Sequence, residues 1–566
     1  MQFHFQLVRT NDMHLDKLSI LLKELLLLLK HNLRSPYPPE RQLSKEYLTI
    51  LYTMIGHTRD ILDGKGECAL TYMMIYTWFS VYPSLALFAI KCMVTIDSIQ
   101  HPYGSWKDLK YFCQFCKDRQ KHIFHPLIHY PMMLINEQLK LDIVNNDNNN
   151  NKALSLAAKW VPREKSSFGW MYPALAMSFF NSTDDTETKC KMKYRKLLSA
   201  MNRKLDTLQI KQCANNWSDI DFNHVTSVST ARQKYAFLNK LSNGNVRHAD
   251  RPDRITCASQ FAAHIDHTLA SGKELNGKRV STNAFVQQAI QLICDKRKKD
   301  VHVEIDLLNS QWRDHSASMV SHTFGHNMIA MVDVSNSMTG DPMNAAIAIA
   351  LCISEKSVIA NRVLTFGAKP NWIQLENENP TFVSKVEQLL FADWGGPVNF
   401  GLAIDLILDA ILESNVSQKD VRNLVLVVLS DMQMEAADSA RATATAASTH
   451  ESIKRKYADA GMRLYGTPLN PPHILFWNLG GNSSGENSGN DDVVMPCMPT
   501  DANATMISGF SPQAILKTFP ATAATAATAT VTPPPTDDKT PWSQLLKSLQ
   551  NGRYDILRET ILKELG

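Results

Sequence analysis

Asp333, Ser335 and Ser337 stand at alternate positions directly after the apolar run Met328-Ile-Ala-Met-Val332. In an extended chain, alternate side chains lie on one side, so this spacing gathers a carboxylate and two hydroxyls in one small loop. Oxygen donors of that kind suit a hard divalent cation such as Mg2+, which keeps positions open for water or for a carboxylate from a partner. A bare Asp-x-Ser-x-Ser is also an ordinary polar turn after a buried strand, so its setting has to decide.

The setting is a run of alternating elements. From Met328 onward, short β-rich runs (Met328–Val334, Arg362–Phe366, Asn423–Ser430, His473–Leu479) alternate with helical ones (Met343–Ser354, Phe382–Phe391, Leu402–Leu412, Ile453–Ala460). Strand–helix alternation predicts a doubly wound parallel sheet. Such sheets bind ligands outside the carboxyl ends of their strands, where both Asp333 and Asp431 fall.

The preceding half has a different pattern. From about Leu15 to Arg297 apolar residues recur at helical spacing, as in Ser44–Thr58, Glu67–Ser80, Ser84–Ile96 and Trp106–Gln120, with short polar breaks between them. Successive hairpins of this kind predict a helical-repeat array, although no fixed period is found. The expected organisation is a helical-repeat region over 15–300, a doubly wound domain over 325–520, a low-complexity linker over 521–540 and a helical tail over 541–566. Ala440–Ser448, Asn482–Asp492 and Ala521–Pro535 read as structureless insertions.

A chain of 566 residues is too long for one core, and 44% hydrophobic with 20% charged residues describes ordinary globular domains. The net charge of +4 conceals a strong asymmetry. Residues 151–300 hold 25 Lys and Arg against 13 Asp and Glu, whereas 301–566 hold 18 against 28. A basic middle and an acidic end imply different partners or mutual attraction. Within the basic part, Arg163, Lys165, Lys193, Arg195, Lys196, Arg203 and Lys204 are candidates for phosphate contact, with Trp160, Phe168 and Trp170 interleaved. The same residues also read as core tryptophans with a solvated rim. Lys296-Arg-Lys-Lys299 reads as an exposed turn or as a phosphate or nuclear-localisation patch.

Leu18–Lys30 is interrupted by Lys23 and Glu24, and Cys68–Ile96 is broken by Pro83, so no membrane partner is expected. Ten scattered cysteines without a secretory leader read as reduced thiols, so an intracellular location, cytoplasmic or nuclear, is expected. Cys113-x2-Cys116-x5-His122-x2-His125 has zinc-type donors at a spacing that fits no common zinc module. No nucleophile–base grouping and no nucleotide fingerprint is found, which predicts a non-enzymatic protein.

Asp333-Val-Ser335-Asn-Ser337 together with Val427-Val-Leu-Ser430-Asp431 resembles the metal-ion-dependent adhesion site of von Willebrand factor A (vWA) domains. A wider resemblance rests on five further segments. They are Arg59-Asp-Ile-Leu-Asp-Gly-Lys65, Gly104-Ser-Trp-Lys-Asp108, Ala158-Lys-Trp-Val-Pro-Arg-Glu-Lys165, Tyr194-Arg-Lys-Leu-Leu198 and Trp217-Ser-Asp-Ile-Asp-Phe222. These are similar to an uncharacterised family of plants, protists and giant viruses, domain of unknown function 2828. That family pairs a helical N-terminal region with a C-terminal vWA domain. Its architecture is similar to the Ro autoantigen (TROVE) proteins, HEAT-like rings that are closed by a vWA domain and bind small RNAs.

The resemblance implies that Asp333, Ser335 and Ser337 form a first metal loop and Asp431 a third. The second loop would be Trp394–Phe400, where relatives usually carry Thr and this chain carries Val398, with Asn399 as the remaining donor. The implied function is a binding or scaffold protein that captures a protein partner through these loops and a divalent cation. The alternative is an RNA-binding protein that uses the basic 151–300 region.

Overall fold

The computed structural model describes residues 1–96, 101–120, 123–147, 154–180, 185–241, 243–294, 301–319, 327–358, 361–366, 370–375, 380–391, 400–413, 420–421, 423–432, 455–480, 504–511 and 540–566. The chain is mostly helical, with one mixed six-stranded sheet in its C-terminal part. It divides into two compact units, neither of them a continuous stretch. One is Met1–Thr10 with Phe222–Ser548, and the other is Asn11–Asp221 with Leu549–Gly566. The three sequence insertions named above fall wholly outside the described residues.

A short helix α1 (Gln2–Gln6) belongs to the sheet unit, and the helical unit starts with α2 (Asp12–Asn32). The Asn11 side chain caps α2 by accepting from the His14 N–H, and Leu15, Leu18, Leu22, Leu26 and Leu29 form its buried stripe. α3 (Pro38–Arg59) opens on two prolines, whose missing N–H groups cost nothing in a first turn. α4 (Cys68–Phe79) is apolar nearly all round and buried, and Tyr82-Pro83 turns the chain into α5 (Pro83–Cys92). α6 (Trp106–Gln120), α7 (Pro126–Asp147), α8 (Ala157–Trp160), α9 (Tyr172–Phe180), α10 (Glu187–Lys204) and α11 (Leu208–Cys213) follow.

A buried charge network organises this unit. Arg59 donates from Nε and Nη2 to the Asp108 carboxylate at 2.9 and 2.8 Å, and Tyr72 Oη donates to the same group at 2.7 Å. Asp108 is 1% exposed, so these donors replace the water it gave up.

From Phe222 the sheet unit continues with α12 (Ser227–Phe237), α13 (Pro252–Ala270), α14 (Thr282–Cys294) and α15 (His302–Ser318). Then come β1 (Met328–Asp333), α16 (Asp341–Ser354), β2 (Arg362–Phe366), β3 (Asn371–Gln374), α17 (Phe382–Leu390), α18 (Phe400–Glu413), β4 (Val425–Ser430), β5 (His473–Asn478), β6 (Ala504–Ser508) and α19 (Pro541–Leu549). A last helix, α20 (Asp555–Leu565), belongs to the helical unit.

The strands lie in the order β3-β2-β1-β4-β5-β6, parallel except for β3. The all-parallel sheet expected from the sequence is therefore a mixed one. The short β2–β3 connection can only return antiparallel, because a parallel partner needs a long crossover. Alternation along β1 supplies two cores. Met328, Ala330 and Val332 pack with α16, Phe285, Leu308 and Trp312, while Ile329 and Met331 pack with Ile404, Ile407, Ile411 and Tyr457 on the other face.

The expected boundary near 300–325 does not coincide with a boundary of these units. Helices α14 and α15 contribute Phe285, Val286, Ala289, Leu292 and Trp312 to the first sheet core. The predicted tail also divides, with 549–566 counted in the helical unit.

Candidate functional site

β1 and β4 are neighbours whose following connections run to opposite sides of the strand order, so their carboxyl ends flank a topological switch point. Their register pairs Val332 with Leu429, which brings Asp333 and Ser430 to the same level. Both are buried, at 1% and 0% exposed. Ser430 Oγ donates to Asp333 Oδ2 at 2.6 Å and accepts from the Met432 N–H at 3.0 Å. The other Asp333 oxygen accepts from the Ser335 N–H at 2.9 Å. Two strand ends are thereby fastened through one carboxylate, whose orientation is fixed from both sides. Met432 sits at φ +61°, a left-handed conformation that costs a Met side chain of order 1 kcal/mol or more and turns the chain sharply after Asp431.

Past Asp333 the chain enters a single 3-10 turn at Asn336–Met338, which folds Ser337 back beside Ser335. Their hydroxyl oxygens are 3.0 Å apart, and both residues are half-buried. Two ligands at right angles on an ion with bonds of about 2.1 Å would be about 3 Å apart, so this pair already has the edge length of a Mg2+ octahedron. Asp431, at the end of β4, is buried at 5% exposed. Among the described residues no group of three His, Cys, Asp or Glu could hold a metal ion. The donors here are hydroxyls and carboxylates, which fit a hard cation and not a soft one. Val398 and Asn399, the expected second loop, lie outside the described residues.

The sequence points to Asp333, Ser335, Ser337, Asp431 and Asn399 and gives Ser430 no role of its own. Ser430 is the residue that joins the two loops. The signal in the sequence is the hydroxyl that closes the otherwise apolar Val-Leu-Val-Val-Leu run of β4.

The basic candidates are dispersed along α10 and the loop before α9. Arg195 is held by Glu164 at 2.5 Å, and Lys193 by Asp185 at 2.5 Å. Lys165, Lys196, Arg203 and Lys204 are exposed, and Arg163 Nη1 donates to Cys213 Sγ at 3.7 Å. The interleaved aromatics are half-buried and already carry cations on their rings. Lys110 lies 5.0 Å from the centroids of both Trp160 and Phe168, and Lys117 lies 4.6 Å from that of Trp170. Stacking platforms for bases would have to displace those lysines.

Cys113 and Cys116 are fully buried, and burial pushes both thiols up from their usual value. The Cys113 thiol donates to the Ile128 carbonyl at 3.6 Å. His125 packs edge-on against Phe79, 5.3 Å between centroids, and His122 and Lys296–Lys299 lie outside the described residues. The Arg59–Lys65 segment is structural too: Asp60, fully buried, holds Arg553 at 2.7 and 2.9 Å. Among the described residues no helix is long and apolar enough to cross a membrane.

Residues 114–318 match the model of a family described as domain of unknown function 2828, the family the sequence segments resemble. Residues 327–548 match another, domain of unknown function 7788. A curated relative, an uncharacterized protein of Acanthamoeba polyphaga mimivirus, is 27% identical over 481 residues, which cover 82% of this chain and 74% of its own length. No solved structure matches the chain.

Proposed function

We propose that this chain, related to the domain of unknown function 2828 family through residues 114–318, is a non-enzymatic binding protein whose vWA-like sheet unit captures a protein partner through a divalent cation. The observation that carries the reading is the Ser430–Asp333 bond, which fixes a buried carboxylate beside two hydroxyls spaced for cis ligation. The strand order 3-2-1-4-5-6, with its antiparallel edge at β3, supports the vWA-like assignment, and the helical unit takes the place of a HEAT-like region. Asp333, Ser335, Ser337 and Asp431 would hold the ion. When bound, such an ion supplies an open Lewis-acidic position that an acidic side chain of a partner fills. The protein's own residues hold the ligand oxygens in place before the partner arrives. No grouping of acid, base and nucleophile accompanies the loop among the described residues.

The test is calorimetric titration of chelator-treated full-length protein with Mg2+ and Mn2+. Wild type should bind one ion, and the Ser335→Ala/Ser337→Ala variant, which leaves the buried Asp333–Ser430 bond intact, should bind it at least about tenfold more weakly. Equal binding by the two proteins, or no binding by wild type, refutes the metal reading.

A second reading, RNA binding, is favoured by the exposed cations Lys196, Arg203 and Lys204 on α10. It predicts binding that survives chelator and falls steeply with salt, because each neutralised phosphate releases counterions.

A further inference from the structure

Two of the segments that carry the family resemblance, 158–165 and 194–198, line one cleft of about 490 Å³ within the helical unit, a use the metal loop does not account for. The geometry points to this cleft as a binding site for a small organic phosphomonoester, with a nucleoside monophosphate as its natural size.

The cleft is built before any ligand arrives. Its first wall is the end of α8 and the loop after it, drawn tight where Ser166 N–H and Oγ both return to the Arg163 carbonyl at 2.9 and 2.7 Å. Gly169 closes the loop so tightly that a Cβ there would sit 2.1 Å from the Glu164 carbonyl oxygen. The second wall is α10. Glu164 ties the two together by accepting from Arg195 at 2.5 Å and from Lys191 at 3.2 Å. Asn202 spends its amide N–H groups on the Ala158 and Leu198 carbonyls at 3.0 and 2.9 Å, which fastens α8 to α10. The third wall is α11, carrying Gln209, Ile210 and Cys213.

Three features define the ligand. Four cations, Lys159, Arg163, Lys165 and Arg195, line the cleft against the single carboxylate of Glu164, so the occupant is anionic. Val161, Pro162, Leu198 and Ile210 give it apolar surface that a bare phosphate would not use. Gln209 Oε1 is a buried acceptor with no hydrogen-bond partner, an arrangement that costs of order 1–3 kcal/mol and is relieved by a ligand N–H or O–H. The volume lies within the range of about 300–1,000 Å³ typical of small-molecule sites. The neighbouring aromatic faces of Trp160 and Phe168 are covered by Lys110, which favours a monomeric ligand over a polynucleotide strand that would stack successive bases.

The exposed thiol of Cys213 in the cleft wall provides the readout. Full-length protein, held in chelator so that the metal loop has no bearing, is titrated with AMP, GMP, CMP and UMP, with inorganic phosphate, and with a single-stranded oligonucleotide. Iodoacetamide labelling is followed by peptide mapping. At least one nucleoside monophosphate should bind saturably and protect Cys213 in proportion to occupancy, while labelling of the exposed Cys294 stays unchanged. Arg163→Ala and Lys165→Ala should each weaken that binding about ten- to a hundredfold, as loss of a charge-assisted contact does. Gln209→Leu should weaken it too while leaving phosphate affinity untouched. Failure of all four monophosphates to protect Cys213 overturns the proposal. Phosphate binding as tightly as any of them would do the same, because the apolar wall would then be idle. Binding of the oligonucleotide alone would move these residues to the RNA reading.

Discussion

Replacing Arg553 by Ala should loosen the helical unit from α3 outward. The Arg553 guanidinium donates to both Asp60 oxygens, at 2.7 and 2.9 Å, and to the His101 carbonyl at 3.1 Å. Asp60 is fully buried, so the substitution strands a carboxylate that, among the described residues, keeps the Leu62 N–H at 3.0 Å and the Tyr554 hydroxyl at 3.3 Å. Breaking a buried pair from one side costs about 3–5 kcal/mol. The Arg553 side chain is 15% exposed, which lets water reach the vacated place and puts the expected loss near the low end, about 3 kcal/mol. Against a typical stability of about 5–15 kcal/mol, that is a large fraction. The assay is amide hydrogen exchange of α3 and of 59–65 in the full chain, together with urea unfolding. Arg553→Ala should accelerate exchange there by about a hundredfold or more, since 1.4 kcal/mol corresponds to a factor of ten. Arg553→Lys should fall between, because a lysine keeps the charge but not the planar fork. Asp60→Asn on the Arg553→Ala background should recover part of the loss by removing the stranded charge. Unchanged exchange in α3 and an unchanged urea midpoint for Arg553→Ala would refute the reasoning.

Three further outcomes follow from the same contacts. Gly56→Ala should destabilise the helical unit by about 1–3 kcal/mol in urea, because the added Cβ would meet Leu557 Cδ1 at 2.7 Å and the rings of Tyr103 and Tyr554 at 3.2 Å. His57 is buried and held neutral, first by burial and then by the charge of Lys65, down to about 3. The unfolded chain therefore binds the extra proton first, so stability should be full above about pH 6.5 and fall as pH drops toward 3, and His57→Asn should flatten that slope in unfolding measured across this range. Ser430→Ala removes the hydroxyl donated to Asp333 and should cost the sheet unit about 1.5–3 kcal/mol, read as a lowered midpoint, and weaken Mg2+ binding if the metal reading holds.

What was legible in the sequence was what has a local pattern. Met328–Asp333, Arg362–Phe366, Val425–Ser430 and His473–Asn478 are largely apolar runs of strand length, and the longer apolar segments between them, α16 to α18, have helical length. Two strands escaped notice. β3, Asn371-Trp-Ile-Gln, is only four residues of an edge hairpin with exposed ends, and β6, Ala504-Thr-Met-Ile-Ser, lies beyond a long polar stretch. The site was half legible. Asp333, Ser335 and Ser337 share one loop and so have a sequence signature, whereas the bond from Ser430 crosses 97 positions and has none. The same holds for Asp60 with Arg553, which the fold pairs across 493 positions. The basic residues of 151–204 were visible as a count, but the ion pairs that occupy Lys193 and Arg195 depend on tertiary placement.

The ends of the chain explain why sequence boundaries and folding units disagree. The first ten residues are built into the sheet unit: Phe5 is fully buried, its carbonyl accepts from Asn478 Nδ2 at 2.9 Å, and the His4 carbonyl accepts from Ser508 Oγ at 2.9 Å. Those two donors stand at the carboxyl ends of β5 and β6, so this segment covers the ends of these two strands, beside the β1 and β4 ends that carry Asp333 and Ser430. Residues 549–566 are built into the helical unit, with Leu557 and Ile561 fully buried. The family segments 114–318 and 327–548 meet between α15 and β1, inside the sheet unit. A fragment cut there would strip Phe285, Val286, Leu308 and Trp312 from the core that covers one face of β1, and would also lose Phe5 from the other. Each buried side chain of that size contributes about 1.5–3 kcal/mol, so the loss of all five is comparable to the whole stability of an ordinary domain. The proposed metal site is therefore to be tested in a chain that keeps residues 1–10 and helices α14 and α15, because the strands that aim Asp333 and Ser430 at each other pack against both.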